Sequence, residues 1–369
     1  MSKSLVVGVD DGHDGIKIYN GELAIQFRMP SRVAIGATIM GDPDDVNRKI
    51  ISVNGNKYTV DEFCSEHIDT RTEDYPVSEA NIALVYQALD KAFGKDYRDF
   101  KIATGLPLNR FYGGQDGTKN VDLIKNKTNN LMINLRDKSV FNLYEASNNL
   151  DPISISKHIV LSEAQCAYFD ALMTDKGKKT DLYDDLFEGG CAVIDIGGRT
   201  TDIAVINPQG GTMQTSRCGT LDVGIITLKS ILNQNIKAKL KMSSDISDWR
   251  LNKALDSGTL SIGKESHDVS DLISQAKDKV IEQIINKVKV HVRDGKDLGA
   301  VLLVGGGSIT LGEQLINKLE YNNIQIVKDP EFANARGMYK CAAFMARIGP
   351  EQIHPFRLGS VSGNFAGYR

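Results

Sequence analysis

"LVVGVDDGHDGIKIYNG", Leu5 to Gly21, is the stretch on which the reading of this chain turns. An apolar run ends in Asp10, Asp11 and Gly12. A polar turn follows with His13 at its tip, and a second run alternates apolar and polar. Alternation with a period of two is the mark of a half-buried strand, so the stretch predicts a hairpin. The pattern returns in "AVIDIGGRTTDIAVINPQG", Ala192 to Gly210. With Asp10 laid on Asp195, Gly12 falls on Gly197, Val9 on Ile194 and Ile18 on Ile203, all at one offset of half the chain. Two related halves, each opening its sheet with the same device, are expected.

The device has a chemistry. A glycine-rich turn can aim backbone N–H groups into its bend and so hold an anion. An aspartate at the end of the preceding strand cannot bind phosphate directly, because both are negative. It can do so through hydrated Mg²⁺, which keeps several waters and uses few carboxylates. Two Asp-x-Gly hairpins facing each other would clamp a Mg²⁺–polyphosphate from both sides. A single Asp-Gly hairpin is commonly only a hairpin; it is the in-register pair that points to a ligand.

A third glycine stretch is "GAVLLVGGGSITLGEQLINKL". Its apolar run predicts a strand over 300–304, then a turn at Gly305, Gly306 and Gly307, then a helix. Before it, Leu272, Ala276, Val280, Ile284, Val288 and Val292 recur at helical spacing, and Gly295 stands where a C-cap glycine belongs. The glycine turn lets backbone approach a flat or anionic ligand. It is neither a Walker A loop nor the dinucleotide fingerprint, since no G-K-[ST] and no G-x-G-x-x-G occurs there.

Composition narrows the classes. The chain has 369 residues, 41% apolar and 25% charged, with net charge −3. That suits a globular protein of two or three domains and argues against direct nucleic-acid or anionic-membrane binding. No apolar run approaches the ~18 residues of a membrane span. The start lacks a basic segment followed by a long apolar core, so no signal peptide is read. Five cysteines without a C-x-x-C pair point to a reduced, cytoplasmic protein, and six scattered histidines show no metal-ligand spacing.

The three stretches in this order resemble the phosphate-1, phosphate-2 and adenosine elements of the actin/Hsp70/sugar-kinase superfamily. Within it, the chain is similar to the ParM (StbA) family of plasmid-segregation actins. Further segments carry the likeness: "ISVNGNKYTVDEF" as a small-domain hairpin, "ANIALVYQAL" as the next helix, "IATGLPLNRFY" as a strand and turn, "LSEAQCAYFDAL" as the helix joining the halves, and "NARGMYKCAAF" as the final helix. The resemblance implies an α/β fold of two ribonuclease-H-like, actin-like domains with a nucleotide cleft between them. Domain I would take residues 1–162 plus 335–369, with a small insertion at about 30–95, and domain II residues 163–334. The proline- and glycine-rich end beyond Gly349 reads as a tail.

The resemblance also implies roles. Asp10 and Asp195 would hold hydrated Mg²⁺ and orient waters. Asp11, Gly12, His13, Asp14 and Gly15 in the first turn, and Gly197, Gly198, Arg199 and Thr200 in the second, would surround the phosphates of ATP or GTP. Gly12 and Gly197 would offer backbone N–H groups, and Asp11 would shape its turn. Lys17 would bring a positive charge to phosphate, and Glu163 would polarise the attacking water. Gly305, Gly306 and Gly307 would lie against base and ribose, and Gly224 on the sugar side. Two points stay open. Arg199 stands where the family has a small residue, and touches phosphate or only solvent. His13 stands where a small hydroxyl residue is usual, and works through its ring or only its N–H. The implied function is a nucleoside triphosphatase whose filaments segregate plasmid DNA through a small DNA-binding adaptor of the ParR type bound to a centromere. The alternatives are a small-molecule kinase, which would need a catalytic base at an acceptor pocket; a chaperone ATPase, which would need a further substrate domain; and a non-hydrolysing scaffold, which would not need Glu163.

Overall fold

The opening stretch folds as its alternation requires. β1 (Leu5–Asp11) and β2 (Gly15–Asn20) pair antiparallel, with Val9 opposite Ile18 and Asp10 opposite Lys17. The computed structural model describes residues 4–64, 66–113, 117–132, 140–209 and 212–347. The expected tail and the middle of the glycine-rich loop after Tyr112 lie outside the described residues.

β3 (Ile25–Pro30) extends the hairpin sheet. β4 (Val33–Ile35), α1 (Pro43–Lys49), β5 (Ile50–Val53) and β6 (Asn56–Val60) follow. Asn54 and Gly55 both have positive φ in the β5–β6 turn, the two-residue turn that an Asn-Gly pair favours. Next come α2 (Glu79–Phe93), β7 (Asp99–Leu106), α3 (Leu108–Phe111), α4 (Val121–Leu131), β8 (Val140–Asn142), α5 (Leu143–Ser147) and β9 (Ser154–Ser162). The main sheet runs β3-β2-β1-β7-β9, with β7 parallel to β1. The small sheet runs β4-β6-β5-β8. Its fourth strand therefore comes from beyond the expected 30–95 insertion: Val53 in β5 is an edge until Val140 pairs with it.

The second half repeats the plan. α6 (Glu163–Leu172) and α7 (Tyr183–Gly189) lead to β10 (Cys191–Ile196), β11 (Thr201–Ile206) and β12 (Gly219–Leu221). α8 (Ile225–Leu240), α9 (Asp248–Ser257), the hairpin of β13 (Thr259–Ile262) and β14 (Glu265–Asp268), and α10 (Ser270–Val292) intervene. β15 (Ala300–Val304), α11 (Gly307–Leu319), β16 (Ile324–Ile326) and α12 (Ala333–Arg347) close the chain. The sheet order β12-β11-β10-β15-β16 matches the first sheet strand for strand, with β15 parallel to β10. The six apolar positions read at helical spacing in α10 are all buried. That helix is capped by Arg293 at φ 64°, and Gly295 at φ 67° makes the following turn rather than the cap itself.

α6 joins the halves because it carries two apolar faces. Ala164, Ala167 and Tyr168 pack with Val193, Ala204 and Val304 of the second sheet. Cys166 and Phe169 pack with Ala103 of the first sheet and Met338 and Cys341 of α12. α6 and α12 cross so closely that a Cβ at Gly337 would stand 1.8 Å from the Cys166 carbonyl oxygen, which only glycine avoids.

Candidate active site

β1 and β10 end at one cleft of about 350 Å³, lined from both halves. Side chains alternate across a strand, so Asp10 and Asp11 leave β1 on opposite faces. Asp11 turns into the first half. Its Oδ1 accepts from Lys127 Nζ at 2.8 Å and its Oδ2 from Asn81 Nδ2 at 2.7 Å, and Lys127 also donates to the Gly105 carbonyl at 2.6 Å. Its carboxylate thus ties β1 to α2, α4 and β7, which suits shaping the turn. Asp10 faces the cleft and accepts from Lys17 Nζ at 3.0 Å, directly across the hairpin. Burial works against the Lys17 charge, but Asp10 outweighs it and holds the ammonium above its ordinary value.

The second jaw differs. Asp195 Oδ2 accepts from Asn334 Nδ2 at 2.6 Å. Opposite it stands Asp202, where the first hairpin has Lys17. Asp202 accepts from the hydroxyls of Thr220 and Thr200, the latter at 3.1 Å. Burial, then Asp202 and Asp10, push Asp195 up to about 7, and burial pushes Asp202 up to about 6. Glu163 opens α6 directly after β9. Burial and the charges of Asp10, Asp195 and Asp202 raise it well above the carboxylate range. Its carboxylate lies over Gly105, where a Cβ would come within 2.6 Å of its Cγ. No hydrogen bond or ion pair engages it among the described residues.

This acid-rich floor fits a divalent cation held through water. Among the described residues no three His, Cys, Asp or Glu side chains converge as direct metal ligands. Oδ1 of Asp10 and Oδ1 of Asp195 accept no hydrogen bond there. Two carboxylate oxygens left without a hydrogen bond can accept from the waters of a hydrated Mg²⁺.

The two turns touch: a Cβ on Gly198 would stand 2.7 Å from the Asp14 Cβ. Gly197 departs from expectation, because its N–H donates to the Thr200 carbonyl at 2.8 Å and so closes the turn. The amides that face outward are the next two. The carbonyls of Gly197 and Gly198 accept from the N–H groups of Ile225 and Ile226 at 3.2 and 2.8 Å. Trans peptides then aim the N–H groups of Gly198 and Arg199 the opposite way, off α8. Gly224 explains the fit. It caps α8 behind the turn, and a Cβ there would come within 2.5 Å of the Gly197 carbonyl oxygen. It backs the second turn and does not line the cleft.

Both open residues have partners. The His13 Nδ1 lies 2.6 Å from the Thr70 carbonyl, and Thr70 Oγ1 donates to the His13 carbonyl at 3.0 Å. A carbonyl only accepts, so Nδ1 carries the proton. Burial keeps the ring neutral, which leaves Nε2 a bare acceptor, unable to donate to phosphate. Arg199 donates to Asp222 at 3.0 Å and to the Arg71 carbonyl across the cleft. It stays partly exposed in the lining of the cleft.

Gly305 has φ +82°, and a Cβ on it would stand 2.3 Å from Asp195 Oδ1. The glycine turn thus passes directly under the second aspartate, with Gly306 and Gly307 starting α11. Opposite it, Ile225 of α8 and Leu255 of α9 line the cleft, with Thr310 of α11. Charge pairs close the mouth between the halves. Arg32 meets Asp248 at 2.6 Å and Arg28 meets Glu331 at 3.4 Å. Lys229 reaches Asp248 at 3.1 Å and Asp14 at 3.6 Å, and Arg28 holds Asp14 at 2.9 Å. Burial alone would raise Asp14, but Lys229 and Arg28 hold it below the usual carboxylate range.

Sequence reasoning missed Asp202, Lys127, Arg28, Arg110, Lys229 and Asn334. Asp202 was findable, since it stands at the constant offset from Lys17. The others sit on helices or an edge strand whose local pattern reads only as amphipathic surface.

Two family models match. One, "Actin like proteins N terminal domain", covers residues 8–146, and the other, "Archaeal actin homologue MreB-like, C-terminal", covers 193–317. The chain is actin-like. Solved actin-like structures superpose on nearly its whole length. A non-polymerisable quadruple mutant of pCBH ParM aligns with TM-score 0.71 at 20% identity, over 93% of this chain and 100% of that one. An archaeal actin homologue in complex with ADP aligns with TM-score 0.70 at 19% identity, over 92% and 99%. A subunit of a 15-stranded ParM filament from Clostridium botulinum aligns with TM-score 0.68 at 20% identity, over 93% and 100%. No curated protein matches in sequence. The actin-like fold, with two α/β domains of repeated topology, is thereby shown. No helix among the described residues is long and apolar enough to cross a membrane.

Proposed function

We propose that this actin-like chain is a nucleoside triphosphatase that assembles into filaments and segregates plasmid DNA. The observation that carries the reading is the pair of in-register aspartate hairpins meeting at one cleft, with Glu163 at its floor. ATP or GTP would lie with its phosphates between the turns and its base beside the Gly305–Gly307 turn. Gly198 and Arg199 N–H groups and the Lys17 ammonium would meet phosphate oxygens. Asp10 and Asp195 would hold Mg²⁺ through water, and the bound ion supplies positive charge to the polyphosphate. Glu163 would orient the attacking water, since phosphoryl transfer needs positioning and charge stabilisation more than covalent chemistry.

Assembly follows from geometry of a different order. A head-to-tail contact that does not close builds an open filament. The triphosphate would hold the two halves closed and favour the filament, and hydrolysis would destabilise it. A second copy of the chain and a small DNA-binding adaptor of the ParR type on a centromere are the expected partners. ParM filament structures among the similar folds support the self-assembly.

Sedimentation with Mg²⁺ and ATP or GTP tests the filament: the wild type should pellet, and a chain that stays monomeric at high concentration overturns the reading. Glu163→Ala should keep nucleotide binding while phosphate release falls about 10²- to 10⁴-fold, the range for a positioned acid–base group. Unchanged release removes Glu163 from the mechanism.

A further inference from the structure

Six lysine and arginine side chains line the cleft: Lys17, Arg28, Arg110, Lys127, Arg199 and Lys229. Five are matched to carboxylates. Lys17 pairs with Asp10, Arg28 with Asp14, Lys127 with Asp11, Arg199 with Asp222, and Lys229 with Asp248. Arg110 has no carboxylate at ion-pair distance among the described residues. Its hydrogen bond there runs from Nη2 to the Glu73 carbonyl at 2.6 Å. A guanidinium carries five N–H donors in a flat fork, so most of them remain for a ligand.

Its setting is anionic-ligand territory. Arg110 is half-buried on α3, which Leu108 and Phe111 anchor in the core. The segment 70–73 gathers both turns and Arg110, since His13 donates to the Thr70 carbonyl, Arg199 to the Arg71 carbonyl and Arg110 to the Glu73 carbonyl. β7, whose Gly105 lies beneath the Glu163 carboxylate, runs directly into α3. The guanidinium therefore shares one end of the cleft with the water-orienting carboxylate and the first phosphate turn. That is the end at which the terminal phosphoryl group must lie if Glu163 is to aim water at it.

We propose that Arg110 contacts the terminal phosphoryl group of the bound nucleoside triphosphate and carries its charge during transfer to water. The inference rests on the triphosphatase reading above. In the step, a water oxygen bonds to the terminal phosphorus while the bond from that phosphorus to the bridging oxygen breaks. The electron pair of the broken bond stays on the nucleoside diphosphate. One water proton leaves to solvent, giving diphosphate, inorganic phosphate and H⁺. Charge builds on the transferred group and on the bridging oxygen, and a guanidinium fork without a carboxylate partner stabilises it. The charge of each of the five matched cations is already offset by a carboxylate at ion-pair distance; that of Arg110, among the described residues, is not.

The test compares wild type, Arg110→Ala and Arg110→Lys in the same Mg²⁺ buffer, with whichever of ATP or GTP the wild type hydrolyses. Single-turnover phosphate release, diphosphate affinity and trapping of the diphosphate with aluminium fluoride are measured together. In Arg110→Ala, release should fall about 10³-fold, the low end for an arginine acting on a transferred phosphoryl group. Diphosphate affinity should stay within threefold, and the aluminium fluoride complex should no longer be trapped. Arg110→Lys should recover only part of the rate, because a lysine is a point charge and not a fork. Release within threefold of wild type in Arg110→Ala overturns the proposal. So does a fall in diphosphate affinity as large as the fall in rate, which marks a residue that only builds the cleft. If the wild type itself releases no phosphate from either nucleotide, the triphosphatase reading falls, and this one with it.

Discussion

At the residue scale, the two hairpins show how one device is made asymmetric by a single pair of positions. Asp10 faces Lys17 and is balanced, whereas Asp195 faces Asp202 and is not. The cleft floor thus carries an excess of negative charge on the second half alone, and that excess is what a cation would relieve. His13 shows the reverse lesson. Its place at the turn tip suggests a ligand contact, yet its ring points to Thr70 and its one free nitrogen is an acceptor. His13→Ala should therefore leave nucleotide affinity within threefold, as equilibrium titration with a fluorescent nucleotide would show. It should cost stability by about 1 kcal/mol for the lost hydrogen bond. A tenfold or greater loss of affinity would place the ring at the phosphates.

At the scale of elements, α6, α8 and α9 set how the halves meet. α6 is a shared wall with one apolar face for each sheet. The starts of α8 and α9 instead bring charge to the mouth, where Lys229 and Asp248 meet Asp14 and Arg32 of the other half. The Arg32–Asp248 pair lies outside the cleft lining, so it bears on opening without touching a ligand. Both side chains are partly exposed, which keeps the pair in the range of about 0.2–1 kcal/mol. Arg32→Ala should then speed nucleotide dissociation roughly two- to fivefold in stopped flow, and more weakly at high salt, where the wild-type pair is already screened. Asp248→Ala should speed dissociation too, and adding Arg32→Ala to that variant should bring no further rise. No change in either variant would mean that the halves open elsewhere.

At the scale of the whole molecule, global stability has a titrating group outside the cleft lining. His158 of β9 is buried between Thr104 of β7 and the Thr128 carbonyl of α4, at 2.9 and 3.2 Å. Burial is the chief cause that takes it from 6.5 down to about 4. As pH falls through 6.5 the unfolded chain gains a proton there and the folded chain does not until about pH 4. Stability is thus lost across that window. Between pH 7 and pH 5 the loss from this group is about 2 kcal/mol. Urea unfolding of His158→Gln should show a correspondingly smaller drop over that interval; an equal drop would assign the acid sensitivity to other groups.

Period and spacing alone made much of this legible. The two hairpins, their common offset, the six buried positions of α10, the Asn-Gly turn after Val53 and the glycine turn at Gly305 are local patterns. A strand or helix imposes them on its own residues, so they can be read along the chain. The small sheet resisted such reading because β8 joins it from 80 residues beyond β6. The partners of Asp11 resisted it too, since Lys127 comes from a helix more than a hundred residues away. The same holds for the capture of Arg199 by Arg71, the use of Gly224 as a backstop, and the lack of an ion pair for Arg110 among the described residues. Each is a matter of which distant backbone or carboxylate happens to stand within hydrogen-bonding reach. Local sequence carries the period of an element and its turn chemistry; the pairing of charges across a cleft exists only once two sheets have packed on one shared helix.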